Sequence, residues 1–211
     1  MAKIPFEHPT LLLVEHGETE FSERPGHEDR IHGTKFDLPL IALGRQQAKK
    51  DGEKLNKYDI ATLEHSPQLR STQHAKIISD IIGVPAKKDD RLRPLDTGIM
   101  SGMTHEKAEN WLRYYIENPH KRIPGSVSGQ GIYDKWYDGW SEALAEGLKL
   151  AEKTPGQGHV KVLHSSEIMT VRSVIQGDPP TVASRESLPA SGEILMLEKR
   201  GGKWRMKAFE G

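Results

Sequence analysis

The 211-residue chain contains no cysteine. That excludes disulfides, thiolate nucleophiles and Cys-based zinc sites. It also lacks net charge: 30 Lys plus Arg balance 30 Asp plus Glu. A neutral balance gives no global cationic field, so nucleic acid is not implied as a partner, although a local cationic pocket stays open. Long apolar runs are missing too. Leu11 to Val14, the longest early one, is far too short to span a membrane. The first residues hold no run of signal-peptide length. No membrane partner is expected, and a cytoplasmic setting is the default. There is no internal repeat and no low-complexity stretch. The length suits one domain, or one domain with a small cap.

What is present reads as alternating strands and helices. Leu11-Leu12-Leu13-Val14 follows Pro9 and stops at His16-Gly17, as a buried central strand does. Residues 18 to 33 are polar and contain Pro25, Gly26 and Gly33, a long loop of the kind that carries function. A helix is predicted over Gly44–Leu55, a second buried strand over Ile60–Leu63, and a helix over Pro67–Ile82 with Gly83 as its stop. This order implies an α/β fold with parallel strands and right-handed crossovers. A loop from Asp89 to Thr104 and a helix from about His105 to Asn118 come next, then a Pro/Gly/Ser-rich excursion from 119 to 131. Trp136, Trp140, Leu144 and Leu148 stand at helical spacing and read as a core stripe. Val160–Leu163 is a third strand and Ile168–Ile175 a helix. Glu193–Glu198 and Lys203–Ala208 form a terminal hairpin around Gly201-Gly202.

Two of the strands end in a histidine, His16 and His164. In open α/β sheets, ligands bind outside the carboxyl ends of the strands, so two imidazoles delivered there make a site candidate. The sequence around them resembles the histidine phosphatase superfamily, which includes the phosphoglycerate mutases. Leu13-Val14-Glu15-His16-Gly17-Glu18-Thr19 is similar to the Arg-His-Gly-Glu-Thr signature. Arg30, Gly33, Asp37, Pro39, Leu40 and Gly44-Arg45-Gln46-Gln47-Ala48 match the segment after it. Ser66-Pro67-Gln68-Leu69-Arg70 matches the Ser-Pro-x-x-Arg block. Arg91 to Gly98 with Gly102 matches the loop carrying the family's acid, and Leu188-Pro189 precedes the closing strand. The ordered set covers nearly the whole chain.

The resemblance implies a three-layer α/β/α fold with a mainly parallel central sheet. It implies one domain over residues 1–211, with a small helical cap roughly over 97–135. Trp111, Tyr114 and Tyr115 read as the cover of that cap. The resemblance also implies roles. His16 would be the nucleophile that forms a phosphohistidine. Arg70 and Arg30 would clamp the phosphate through their planar forks, beside Ser165. His164 would stabilise the transferring group, and Asp96 would protonate the leaving oxygen, with turn capping as its competing role. No cofactor and no metal are called for. The partner is a small phosphorylated substrate or inorganic phosphate, and a homodimer is left open.

Several site positions depart from the pattern. The Arg before the nucleophile is Glu15, an acceptor-only anion where a phosphate donor belongs. The usual Glu of the acid loop is Pro94. Pro124-Gly125-Ser126-Val127-Ser128 lacks the family's second carboxylate. Ser165 replaces a Gly and His74 a Thr. Extra histidines stand at His27, His32, His65 and His74. Three readings follow. One is a phosphomonoester hydrolase acting through His16. Another is a catalytically impaired or inactive relative that binds a ligand or partner. The third is a structural or assembly protein that uses the same scaffold, through an exposed apolar patch on the helix of Trp111, Tyr114 and Tyr115.

Overall fold

The computed structural model describes residues 2–22, 30–118, 121–126, 135–176 and 194–211. Its strands are β1 (Thr10–Glu15), β2 (Ile60–His65), β3 (Ala86–Lys88), β4 (Gly158–Leu163), β5 (Ile194–Arg200) and β6 (Lys203–Ala208). Its helices are α1 (Ala42–Leu55), α2 (Leu69–Ile82), α3 (His105–Glu117), α4 (Lys135–Lys153) and α5 (Ser165–Gln176). The strands form one sheet in the order β3-β2-β4-β1-β5-β6. The pairs β3–β2, β2–β4 and β4–β1 are parallel. The closing β5–β6 hairpin adds antiparallel strands beside β1. The mainly parallel α/β reading therefore holds.

Alternation along β1 explains the layers, because successive side chains leave a strand on opposite faces. Leu12 and Val14 pack with Leu55, Ala75 and Ile78 of α1 and α2. Leu11 and Leu13 pack with Trp140, Leu144 and Val171 of α4 and α5. β1 lies between two covered faces, so it reads as a continuous apolar run rather than an alternating one. A third, smaller cluster joins Ile31, Met100, Ala108, Tyr115 and Ile123, with Leu95 and Trp136 against it. It gives the expected cap region an apolar centre of its own. Tyr115 is buried there, whereas Trp111 and Tyr114 are exposed.

Two details differ from the sequence reading. β3 was not foreseen, because Ala86-Lys87-Lys88 is a short edge strand with no apolar pattern. Trp140, Leu144 and Leu148 are core residues, but Trp136 is only half-buried and its indole N–H serves polar partners. Among the described residues no helix is long and apolar enough to cross a membrane. His27, Val127, Ser128, Leu188 and Pro189 lie outside the described residues.

Candidate active site

β1 and β4 are neighbours, and Glu15 pairs with Leu163 at their carboxyl ends. The next residue of each strand is a histidine, so His16 and His164 leave the sheet side by side. Their ring centroids are 5.0 Å apart, with the planes at 67°. Both are buried.

Hydrogen bonds fix the tautomer of His16. Arg70 Nε can only donate, and it lies 3.0 Å from His16 Nε2, so Nε2 carries the lone pair. The proton is then on Nδ1, which donates to the Gly17 carbonyl at 2.9 Å. Burial first, then the charge of Arg70, hold the pKa of His16 well below the usual histidine value. A neutral imidazole with Nε2 unprotonated is a competent nucleophile.

The backbone under His16 is itself held. Gly17 N–H donates to His74 Nδ1 at 2.9 Å. His74 Nε2 meets Asp51 Oδ2 at 3.1 Å, and this pair is buried between α1 and α2. Gly17 also packs directly on α1, where an added Cβ would lie 2.4 Å from the Gly44 carbonyl oxygen.

Arg70 is the second residue of α2 and is 1% exposed. Its Nη1 donates to Phe36 O at 3.2 Å and its Nη2 to Gly33 O at 3.4 Å. Gly33 takes a positive φ of 56°, and a Cβ there would meet Thr97 Oγ1 at 2.2 Å, so only glycine presents that carbonyl. Burial lowers the Arg70 pKa to about 10, which leaves the guanidinium charged at neutral pH. His164 Nε2 bonds Ser66 Oγ at 2.8 Å. Its Nδ1 is buried without a hydrogen-bond partner among the described residues. Burial, Arg70 and His16 together lower its pKa well below the ordinary value.

His16, Arg70 and His164 thus converge. The other expected residues make contacts of their own. Arg30 Nη1 donates to Gly102 O at 2.9 Å, and Arg30 bridges Thr104 through its backbone. Asp96 Oδ1 accepts from Gly98 N at 3.1 Å and so caps a turn. Ser165 opens α5, half-buried. Glu15, also half-buried, follows the β1 alternation to the face of Leu11 and Leu13, which α4 and α5 cover.

Three further groups join the site, of which His32 and Ser66 stood out in the sequence without an assigned role and Glu167 did not stand out at all. His32 lies with its ring 5.9 Å from His16, and its Nε2 is 2.6 Å from Thr19 Oγ1. Burial and Arg70 push its pKa down to about 3. The signal was present, since His32 falls inside the Arg30-to-Gly33 block. Ser66 heads the Ser-Pro block and reaches His164. Glu167, one helical turn beyond His164, is 0% exposed. Burial pushes its carboxyl up to about 8, against the opposing pull of Trp136, Ser166 and Arg70. Among the described residues no cluster of His, Asp or Glu has metal-holding geometry.

Comparisons with known proteins show the family and the fold. A sequence model of the histidine phosphatase superfamily (branch 1) matches residues 11–210. A Salmonella choleraesuis (strain SC-B67) protein named "Probable phosphoglycerate mutase GpmB" is 34% identical over 200 residues, covering 92% of this chain and 86% of that protein. Among solved structures, a mycobacterial glucosyl-3-phosphoglycerate phosphatase superposes with a TM-score of 0.72 at 22% identity, covering 96% of this chain and 98% of that one. A phosphoserine phosphatase mutant from Entamoeba histolytica also gives a TM-score of 0.72 at 22% identity, covering 96% of each chain. At these identities the solved structures speak for the fold.

Proposed function

The chain belongs to the histidine phosphatase superfamily, branch 1, and from that premise we propose that it is a phosphohydrolase that cleaves small phosphomonoesters through a phosphohistidine on His16. The carrying observation is the unprotonated Nε2 of His16, which accepts from Arg70 Nε at 3.0 Å while the ring proton stays on Nδ1 and is donated to Gly17 O.

A phosphoryl group carries its charge on several oxygens, so its transfer is catalysed mainly by positioning and electrostatics. Arg70 Nε exchanges its bond to His16 for one to a phosphate oxygen, and the Nη groups keep their backbone anchors. His16 Nε2 attacks phosphorus. The P–N bond forms as the ester P–O bond breaks, and the leaving oxygen takes the electron pair and a proton. Water then attacks phosphorus, the P–N bond breaks, and the lone pair returns to Nε2 as inorganic phosphate leaves. His164 and Arg30 stabilise the transferring group, α5 offers the Ser165 end, and the 97–135 segment caps the site within a single domain. Relatives named for phosphoglycerate, glucosyl-3-phosphoglycerate and phosphoserine fit a small phosphorylated substrate. Hydrolysis is favoured over mutase action, because no residue marks a bisphosphoglycerate pocket. The cysteine-free, soluble-type sequence suits the cytoplasm.

Glu15 motivates a second reading, a pocket closed to phosphate. At ~4 Å and an effective dielectric of ~20, one like-charge contact costs about 4 kcal/mol. The test is hydrolysis of p-nitrophenyl phosphate from about pH 4 to about pH 8, comparing the native chain with His16→Ala and Glu15→Arg. The hydrolase reading expects turnover that His16→Ala abolishes. Turnover that survives His16→Ala overturns it. A silent native chain with an active Glu15→Arg establishes the second reading.

A further inference from the structure

A phosphate ester with an alkoxide leaving group needs a proton at that oxygen, and a positioned acid contributes roughly 10²–10⁴-fold. The loop expected to carry that acid has Pro94 at the carboxylate position, and Asp96 is occupied in capping Gly98. Three carboxyls buried among the described residues stand outside the mechanism just described, Asp51, Glu167 and Glu198, and of these Glu167 lies on the helix that follows His164. Glu167 lies in the first turn of α5, immediately after His164. Its Oε1 accepts from Trp136 Nε1 at 3.0 Å. The same indole N–H reaches Arg93 O at 3.0 Å, tying the carboxyl to the chain just before Pro94. Its Oε2 lies 2.9 Å from Ser166 Oγ.

Glu167 has no exposed surface, so it cannot touch an ester oxygen itself. Of its two side-chain contacts, an indole N–H does not relay protons at ordinary pH, whereas a hydroxyl both accepts and donates. Ser166 is half-buried, so this hydroxyl-bearing residue has exposed surface where Glu167 has none. We infer that Glu167 is the proton reserve for the leaving group, acting through the Ser166 hydroxyl and replacing from α5 the carboxyl missing at Pro94. The inference rests on the hydrolase reading.

The proton balance closes. Glu167 Oε2 gives its proton to Ser166 Oγ as Ser166 gives its own to the departing oxygen. Glu167 becomes a carboxylate. When water later attacks the phosphohistidine, one of its protons returns along the same path. The groups acting on Glu167 are Arg70 from α2, Trp136 from α4 and Ser166 from its own helix, of which Arg70 alone is charged. With its carboxyl pushed up to about 8, Glu167 holds its proton at neutral pH. Within this network it is a positioning residue.

The experiment compares two substrates in the native chain, Glu167→Gln, Ser166→Ala and His16→Ala. p-Nitrophenolate leaves without a proton, whereas the alkoxide of β-glycerol phosphate needs one. Both Glu167→Gln and Ser166→Ala should lower kcat on β-glycerol phosphate by about 100-fold. They should change p-nitrophenyl phosphate turnover by less than about threefold. The native loss of β-glycerol phosphate turnover above about pH 8 should vanish in Glu167→Gln. Equal losses on both substrates, no loss on either, or a native chain that turns over only the aryl ester overturn the inference while leaving His16-dependent hydrolysis standing. Ser166→Ala decides the matter if Glu167→Gln does not fold. Aryl turnover that survives His16→Ala overturns the hydrolase reading itself, and the inference with it.

Discussion

Removing His74 should damage the protein far more than neutralising Asp51. The two side chains are 0% and 1% exposed and meet at 3.1 Å. In His74→Ala the Gly17 N–H loses its acceptor, and an unsatisfied buried donor costs about 1–3 kcal/mol. Asp51 Oδ2 loses its donor at the same time. Asp51 Oδ1 already has no partner among the described residues, so the carboxylate becomes an unpaired buried anion. Breaking a buried pair by deleting one partner costs about 3–5 kcal/mol. The combined loss is on the order of 4 kcal/mol or more, against a total stability of roughly 5–15 kcal/mol for a typical domain. Asp51→Asn keeps an oxygen for His74 and only weakens a charge-assisted bond, at about 1 kcal/mol. Urea unfolding followed by tryptophan fluorescence measures both. Catalysis should follow, because Gly17 O orients His16: kcat in His74→Ala should fall about tenfold or more, with KM little changed. A loss below about 1 kcal/mol in His74→Ala, or equal losses in the two variants, would refute this account of the pair.

Other expectations follow from the same geometry. His32, held at about 3, stays unprotonated in the folded state while the unfolded chain takes up a proton below about 6.5, so stability falls as pH drops through that window. Glu167 works in the opposite direction: it keeps its proton up to about 8 when folded and loses it near 4.5 when unfolded, so it weakens the fold as pH rises between those values. The Tm of Glu167→Gln should therefore gain on the native Tm across that range, and a constant difference would contradict the buried-acid assignment. Arg70→Lys should lower kcat/KM by about 100-fold while preserving charge, since the fork that reaches His16, Phe36 and Gly33 is lost; near-native kinetics would mean that charge alone suffices. Gly17→Ala forces a Cβ to 2.4 Å from the Gly44 carbonyl and should cost about 1–3 kcal/mol or more, read from its urea midpoint.

Local signals carried most of the fold. The run Leu11 to Val14 marked β1 because both its faces are covered. Gly83 marked the end of α2 because the chain there turns left-handed, with φ 76°. Gly201-Gly202 marked the closing hairpin for the same reason, with φ 55° and 79°. β3 escaped because edge pairing with β2, not composition, makes it a strand. In the site, His16, Arg70 and His164 were legible as strand-end and helix-start residues in ordered blocks. His74 stood out as an extra histidine in place of a Thr, but its partner Asp51 did not, because it reads as an ordinary helical polar residue until α1 packs on α2. Trp136 looked like the start of an apolar stripe, and its polar duty depends on a carbonyl and a carboxyl from two distant segments.

The pairing of β1 with β4 joins the beginning of the chain to its last third. That contact is non-local, and it closes only after the intervening loop entropy has been lost. The groups proposed to bind phosphate follow β1 and β4 and open α2, so a half-folded chain holds the parts of the proposed pocket without the pocket. A ligand that binds only the finished site stabilises it in proportion to RT ln(1 + [L]/Kd). On the proposed function, phosphate thereby becomes a folding variable: it favours the assembled chain over its precursors, independently of any turnover.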